Sequence, residues 1–159
     1  MNPTFAGFWL RFVAYLIDSV LIYALQSFIF VPVFSLMGIS FASRAQDFEN
    51  MSDAEAMGVM GAFAAFSGAA LLLSTVIAVL YGALMESSKY QATVGKLALG
   101  LKVTDMDGKN LDLAKALVRN LCKILSGMIM GLGYIIAAFT EKKQGLHDII
   151  ASTLVVKKQ

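Results

Sequence analysis

Two long apolar runs constrain this sequence more than any other feature. They cover about residues 12–38 and 57–85, and each exceeds the roughly 20 residues that a helix needs to cross a bilayer core. Of the 159 residues, 58% are hydrophobic and only 15% are charged, whereas a soluble domain carries about 25% charge. The sequence therefore predicts an all-α integral membrane protein, a single domain over residues 1–159, with the lipid bilayer as its surroundings.

The first run contains two charged residues that share one helix face. Arg11 lies at its start, and Asp18 follows seven residues later, nearly two helical turns further on. An ionisable residue inside a membrane span is costly, so it marks a site of function or packing with a partner. We expect Asp18 to be buried against a basic partner, with Arg119 first and Lys123 second. Arg11 either snorkels to the interface or pairs with Asp18 or Asp148.

Several classes of function are disfavoured by the composition. Cys122 is the only cysteine and His147 the only histidine, so an internal disulfide, a cysteine metal cluster and a multi-histidine site are excluded. Lys96, in the segment TVGK, lacks the glycines of a phosphate-binding loop. We therefore expect no enzyme, no metal, no cofactor and no nucleic-acid partner. The length of the first run and its Asp18 argue against a cleaved signal peptide ending near residues 40–42.

The two runs differ in their helix signals. Pro32 removes a backbone donor and is expected to kink or end the first helix. Ser52 and Glu55 form a capping box that predicts the start of the second helix. Small residues then recur at spacings of three and four, which favours close helix packing within the chain or in a homo-oligomer. These residues are Gly58, Gly61, Ala62, Ala65, Gly68 and Ala69.

The region after the second run is predicted to lie outside the hydrocarbon. Gln91–Gly100 resembles a short amphipathic helix at the membrane surface. The run Leu101–Asp105 is strand-like, and a turn at Asp107 and Gly108 follows it. The tail Ser152–Lys157 is the only other strand-like run. Pairing the two runs satisfies their backbone groups and predicts a small cytoplasmic β-element.

The distribution of positive charge predicts a third membrane segment that does not cross. Of the 13 Lys and Arg residues, seven lie in residues 86–123 and four follow residue 140. A full crossing by residues 117–140 would place these groups on opposite sides, against the positive-inside rule. A re-entrant hairpin or broken helix that turns at Gly127, Gly131 and Gly133 avoids this conflict. A single crossing helix with flexible glycines is the alternative.

Further candidate site residues lie around this glycine-centred segment. Arg119 and Asn120 open it and could orient an anion or a carboxylate, and Lys123 follows one turn later. Glu86 ends the second run, where it faces either the same site or the interface. Asp148 is a second candidate, although an aspartate there also suits a local cap or turn.

Four stretches of the sequence resemble the RDD family of bacterial membrane proteins. They are AGFWLRFVAYLID, ESSKYQATVGKLALGLKVTDMDGKNL, ALVRNL and KKQGLHDIIASTLVV. The arginine and two aspartates that name the family correspond to Arg11, Asp18 and Asp148. The resemblance implies a multi-pass protein of the bacterial inner membrane that transports an unidentified ligand, and some relatives resemble cation/proton antiporters.

Two hypotheses of function follow. In the first, the chain is a transporter or cation/proton exchanger in which membrane-buried Asp18 binds its ion beside a basic partner. A short chain then favours an oligomer, and both termini face the cytoplasm. In the second, it is a non-transporting adaptor that assists the assembly or stability of a partner protein.

Overall fold

The protein is described by a computed structural model that covers residues 4–45, 51–129 and 131–158, with the backbone alone at 40–45. Two long helices lead the chain, α1 over Phe8–Ala45 and α2 over Asp53–Ser87. Their apolar spans, Phe8–Ile39 and Asp53–Ser87, are long enough to cross a membrane. Large side chains such as Phe28 and Leu72 are exposed along them, as lipid-facing helices require.

The ends of these helices both confirm and correct the sequence predictions. The capping box is present, because Ser52 N donates to Glu55 Oε2 at 2.9 Å and Glu55 N donates to Ser52 Oγ at 3.4 Å. Helix α1, however, continues through Pro32 instead of ending there. Residues 46–50, which follow α1, lie outside the part that the structure describes.

The chain divides into two compact units, which are described separately. One contains residues 21–76 and consists of the distal part of α1 and most of α2. Within it, Ser74 Oγ donates to Gln26 Oε1 at 2.9 Å, and Phe34 packs edge-on against Phe66. The small-residue rows of α2 are exposed here, and a Cβ added to Gly58, Gly61 or Gly68 would meet nothing within 4 Å. Among the described residues these rows therefore do not pack within the chain, which was one of the two arrangements that their spacing favoured.

The second unit contains residues 1–20 and 77–159 and carries the predicted sheet. Strand β1, Leu101–Asp105, pairs antiparallel with β2, Thr153–Lys157, with Leu101 opposite Lys157 and Asp105 opposite Thr153. The N-terminal segment covers the other edge of β2, because Ala6 N donates to Val155 O at 2.9 Å and Lys157 N to Thr4 O at 3.0 Å. Three distant parts of the chain therefore meet in one hydrogen-bonded layer.

The remaining elements of this unit are short helices. Helix α3 spans Val94–Ala98, α4 Leu113–Met128, α5 Leu132–Ile135 and α6 Leu146–Ile150, with a 3-10 turn at Ile136–Ala138 after α5. The surface helix predicted over Gln91–Gly100 is thus a single buried turn, with Lys96 only 8% exposed.

A sharp bend separates the two halves of the glycine-centred segment. Helix α4 and the helical residues 132–138 are inclined by 116°. Gly131 has a φ of 77°, a left-handed conformation that glycine adopts without strain. A Cβ on Gly133 would lie 2.6 Å from the Ser126 side chain, so the two arms approach closely because that position carries no side chain.

The core of this unit is small and apolar. It is formed where the sheet meets the inner turns of α1, α2 and α4, and every member is nearly or fully buried. Its residues are Ala6, Ala14, Ala83, Leu101, Val103, Leu111, Ala116 and Val155. The alanines allow helix backbones to approach closely, which brings the charged residues beside them into contact.

Candidate functional site

Asp18 lies on the buried face of α1, but its partners are neutral. Oδ1 accepts hydrogen bonds from the backbone N of Gly95 at 2.7 Å and from Tyr81 Oη at 3.0 Å. Oδ2 accepts one from Thr93 Oγ1 at 2.5 Å. The side chain is 9% exposed. The expected burial of Asp18 is confirmed.

The prediction that Asp18 pairs with a basic side chain is wrong for the residues that the structure describes. Neither Arg119 nor Lys123 forms an ion pair with it. The reason is that α3 occupies the space against Asp18: a Cβ on Gly95 would lie 2.1 Å from Ala14 O and 3.0 Å from Asp18 Cγ. A backbone amide, that of Gly95, therefore donates to this carboxylate at the position where a cationic side chain was expected.

Helix α3 is held on Asp18 by a closed set of hydrogen bonds. Thr93, its N-cap, supplies a hydroxyl, and Gly95 supplies an amide. The Tyr81 hydroxyl accepts from Val94 N at 2.9 Å while it donates to Asp18. Sequence reasoning missed Tyr81, Thr93 and Gly95, because nothing in their spacing relates them to residue 18.

Arg119 is the centre of a second buried cluster. Its Nη2 and Nε donate to Asp148 Oδ1 at 2.7 and 2.9 Å, and its Nη1 lies against Glu86 Oε2. Arg119 is 1% exposed, and both carboxylates are fully buried. The guanidinium fork can bridge two carboxylates in this way because it presents donors in several fixed directions.

Asp148 forms the local cap that the sequence analysis considered, and it also pairs with two arginines. Its Oδ2 accepts from Gly145 N at 3.1 Å at the start of α6, which is the local cap. It also pairs with Arg11 and Arg119. Burial alone would raise the pKa of Asp148, but the charges of Arg119 and Arg11 hold that pKa well below its usual range.

Arg11 pairs with Asp148, not with Asp18. Its Nη1 contacts Asp148 Oδ2, and its Nε donates to the backbone oxygen of Ala6 at 2.9 Å. The snorkelling position that the sequence analysis preferred does not occur, because most of the side chain is buried; the side chain is 13% exposed. This ion pair joins the N-terminal part of the unit, at Arg11, to its C-terminal part, at Asp148.

Glu86 lies among three cations and one amide. Lys96 and Arg119 contact it directly, Lys123 Nζ lies 3.4 Å from Oε1, and Asn120 Nδ2 donates to Oε2 at 3.0 Å. Asn120 fits against α2 because a Cβ on Gly82 would lie 2.2 Å from its Oδ1. Of the two surroundings considered for Glu86, the side chain therefore faces the buried cluster.

Lys96 is a further residue of the cluster that the sequence analysis misplaced. It lies in the segment that was expected to form a surface helix, yet its side chain is 10% exposed and pairs with Glu86. Burial lowers the pKa of Lys96 to about 7, although the neighbouring Glu86 opposes the shift. The one indication in the sequence was that Lys96 is the single charged residue of the segment Gln91–Gly100.

His147 borders the cluster as a neutral side chain. Its Nδ1 lies 3.3 Å from Ser126 Oγ, and its Nε2 lies 3.5 Å from Asp148 Oδ1. Burial lowers the pKa of His147 to about 3, against the opposing charge of Asp148. No group of three or more His, Cys, Asp or Glu side chains suitable for a metal occurs within the described ranges.

The comparisons with known proteins agree with this architecture. The model of the RDD family matches residues 5–152. The chain is 39% identical to "Uncharacterized protein YxaI" of Bacillus subtilis, over 96% of this chain and 97% of that protein. It is 31% identical to "Uncharacterized membrane protein YteJ" of the same organism, over 100% of this chain and 85% of that protein. No solved structure matches it significantly. The chain is thus a membrane protein that belongs to the RDD family.

Proposed function

We propose that this protein is a cation/proton exchanger of the bacterial inner membrane in which Asp18 binds the ion. One observation carries the proposal. Within the described part of the unit of residues 1–20 and 77–159, three carboxylates are buried, and two of them, Glu86 and Asp148, are neutralised by fixed cations. The hydrogen-bond donors to Asp18 among these residues are all neutral.

The neutral donors favour reversible binding. A carboxylate that is paired with arginine is a permanent anion and has little affinity for another cation. A buried carboxylate without such a partner gains from binding a proton or a metal cation, because either neutralises it. The hydroxyl oxygens of Tyr81 and Thr93 are also oxygen ligands, so they can serve a cation after their protons turn away from Asp18.

The arrangement of the sheet supports a re-entrant third segment. Thr4–Ala6 precede α1, β1 follows α2, and β2 follows α6, yet all three are hydrogen-bonded together. With α1 and α2 crossing once each, the chain returns to this side before residue 101. Residues 113–138 then enter and leave on the same side, bent at 116°, and non-helical backbone there is shielded by protein or lines a wet cavity.

The positive-inside rule assigns this shared side to the cytoplasm. Arg11, the lysines of residues 86–123 and the four lysines after residue 140 then all face it. The exposed small-residue rows of α2 favour a homo-oligomer, which a chain of 159 residues needs to enclose a transport path.

Flux measurements test the proposal. The full-length protein is reconstituted into liposomes, and proton-coupled movement of sodium, potassium and small organic cations is compared between wild type and Asp18→Asn at matched protein density. We expect flux in wild type and at least a tenfold loss in Asp18→Asn. Equal flux in both proteins would disprove the role of Asp18.

A membrane adaptor that assists a partner protein is the second candidate function. It is favoured by the extent of the buried ion-pair cluster around Arg119, which stabilises a fixed structure, and by the exposed rows of α2, which could contact a different protein. If Asp18→Asn lowers the amount of folded protein in cells, and wild type gives no flux above empty liposomes, the adaptor hypothesis gains support.

A further inference from the structure

We propose that Lys96 carries the proton that is exchanged for the cation bound at Asp18. This inference rests on the proposed function and identifies a second residue of the same site. The two residues are linked by α3, because Thr93 and Gly95 hold the Asp18 carboxylate and the next residue, Lys96, holds Glu86.

Glu86 is shared by three cations. Lys96, Arg119 and Lys123 all lie against it, and of these Lys96 and Arg119 are buried while Lys123 is partly exposed. Like charges this close repel each other, and uncompensated buried charge is costly, so the loss of one proton by a buried cation of this set relieves the repulsion.

Lys96 is the cation that loses its proton most easily. The two arginines stay protonated at every accessible pH. Lys123 has a second acceptor, Asn120 Oδ1 at 2.6 Å, and its side chain is 25% exposed. Lys96 has Glu86 as its one acceptor among the described residues, and Glu86 is already shared with Arg119 and Lys123.

The surroundings of Lys96 act in opposite directions on its charge. Burial and the two nearby cations disfavour the ammonium, while the carboxylate favours it, and the net result is a pKa near 7. The charged and titratable groups around it come from three other helices. They are Glu86 of α2, Arg119 and Lys123 of α4, and His147 of α6.

The exchange step conserves the buried charge. The Lys96 ammonium releases one proton to solution and becomes a neutral amine, and the Asp18 carboxylate takes up one monovalent cation. Without its charge, Lys96 loses the ion pair that fixes α3 against Glu86. The backbone amide of Gly95 is then free to move off Asp18 Oδ1, which makes room for the cation beside the hydroxyl oxygens of Thr93 and Tyr81.

Proton release on cation binding tests this inference. Purified full-length protein in weakly buffered detergent receives sodium or potassium chloride, with choline chloride as the ionic-strength control, while a dye reports protons and a radioactive tracer reports binding. In wild type we expect close to one proton released per bound cation at pH 6, falling towards none by pH 9. Lys96→Met should bind the cation and release at least fivefold fewer protons, whereas Lys109→Met, at an exposed lysine, should match wild type.

The outcomes separate this inference from the proposed function. Proton release from Lys96→Met equal to that of wild type would overturn the role of Lys96 and leave Asp18 as the ion site. Should Lys96→Met not fold, wild type alone decides, since cation binding without proton release at pH 6 also overturns it. Absence of cation binding in wild type would refute the proposed function, and this inference with it.

Discussion

The backbone amide of Gly95 donates a 2.7 Å hydrogen bond to Oδ1 of Asp18. This contact brings a short helix that follows α2 against a carboxylate inside the first membrane span. It also explains why no cation among the described residues neutralises Asp18, because the backbone of α3 occupies the position where a side chain would otherwise lie.

Gly95→Ala should displace α3 from Asp18. The added Cβ would lie 2.1 Å from the backbone oxygen of Ala14, and overpacking of this kind costs about 1–3 kcal/mol. We expect a lower melting temperature in detergent and weaker cation binding. Gly38→Ala is the matched control, since this exposed glycine of α1 has nothing within 4 Å of the added Cβ. Equal melting temperatures for the two variants would show that α3 does not pack as described.

Arg119→Met should destabilise the protein strongly. It leaves Glu86 and Asp148 without their shared partner, and removing one side of a buried pair costs about 3–5 kcal/mol, or about 10 °C in melting temperature for a chain of this size. Thermal unfolding in detergent measures the loss. Lys115→Met, at an exposed lysine one turn earlier on α4, should leave the melting temperature unchanged, and similar losses in both variants would argue against a central role for Arg119.

Cysteines at Lys109 and Lys158 should both be protected from an impermeant thiol reagent in intact cells. The background is Cys122→Ser, and Asp53→Cys serves as the accessible control at the opposite end of α2. Protection of both cysteines is expected because both positions lie on the side of the sheet. The backbone N of Lys158 donates to Gly100 O at 2.7 Å, next to β1, and Lys109 follows β1. Labelling at Lys158 with protection at Lys109 would show that residues 113–138 cross the membrane.

Stability should fall as the pH decreases from about 6.5 to 4. The folded protein holds His147 neutral, with a pKa near 3 against an ordinary value of 6.5. Between these values the unfolded chain binds the additional proton, so unfolding becomes more favourable as the pH falls. Asp148 adds nothing in this range, because its lowered pKa contributes only below the ordinary pKa of aspartate, about 3.9. His147→Gln should flatten the dependence of melting temperature on pH, and an unchanged slope would assign it to other groups.

The sequence was sufficient for the parts of the fold that follow from local pattern. Apolar length identified α1 and α2, and the capping box located the start of α2. Strand character and the need to pair backbone groups identified β1 and β2 as partners. Asp18 was also recognised as buried, because a carboxylate in such a run has few alternatives.

The partners of the buried charges could not be predicted in the same way. Whether Arg11 pairs with Asp18 or with Asp148 depends on contacts across 137 residues of chain, and helix periodicity carries no information about them. Lys96 was misplaced for a related reason. A lysine in a short helix is normally solvated, and only the position of Glu86 on another helix makes its burial favourable.

The most direct test of the proposed exchange is equilibrium binding of a monovalent cation to the purified protein. Tracer sodium and potassium are titrated onto wild type and Asp18→Asn in detergent at pH 8, with binding measured again at pH 6. We predict saturable binding in wild type that weakens at the lower pH, and at least a tenfold loss of affinity in Asp18→Asn. Binding of equal strength in the two proteins, or no saturable binding in wild type, would contradict the assignment of Asp18 as the ion site.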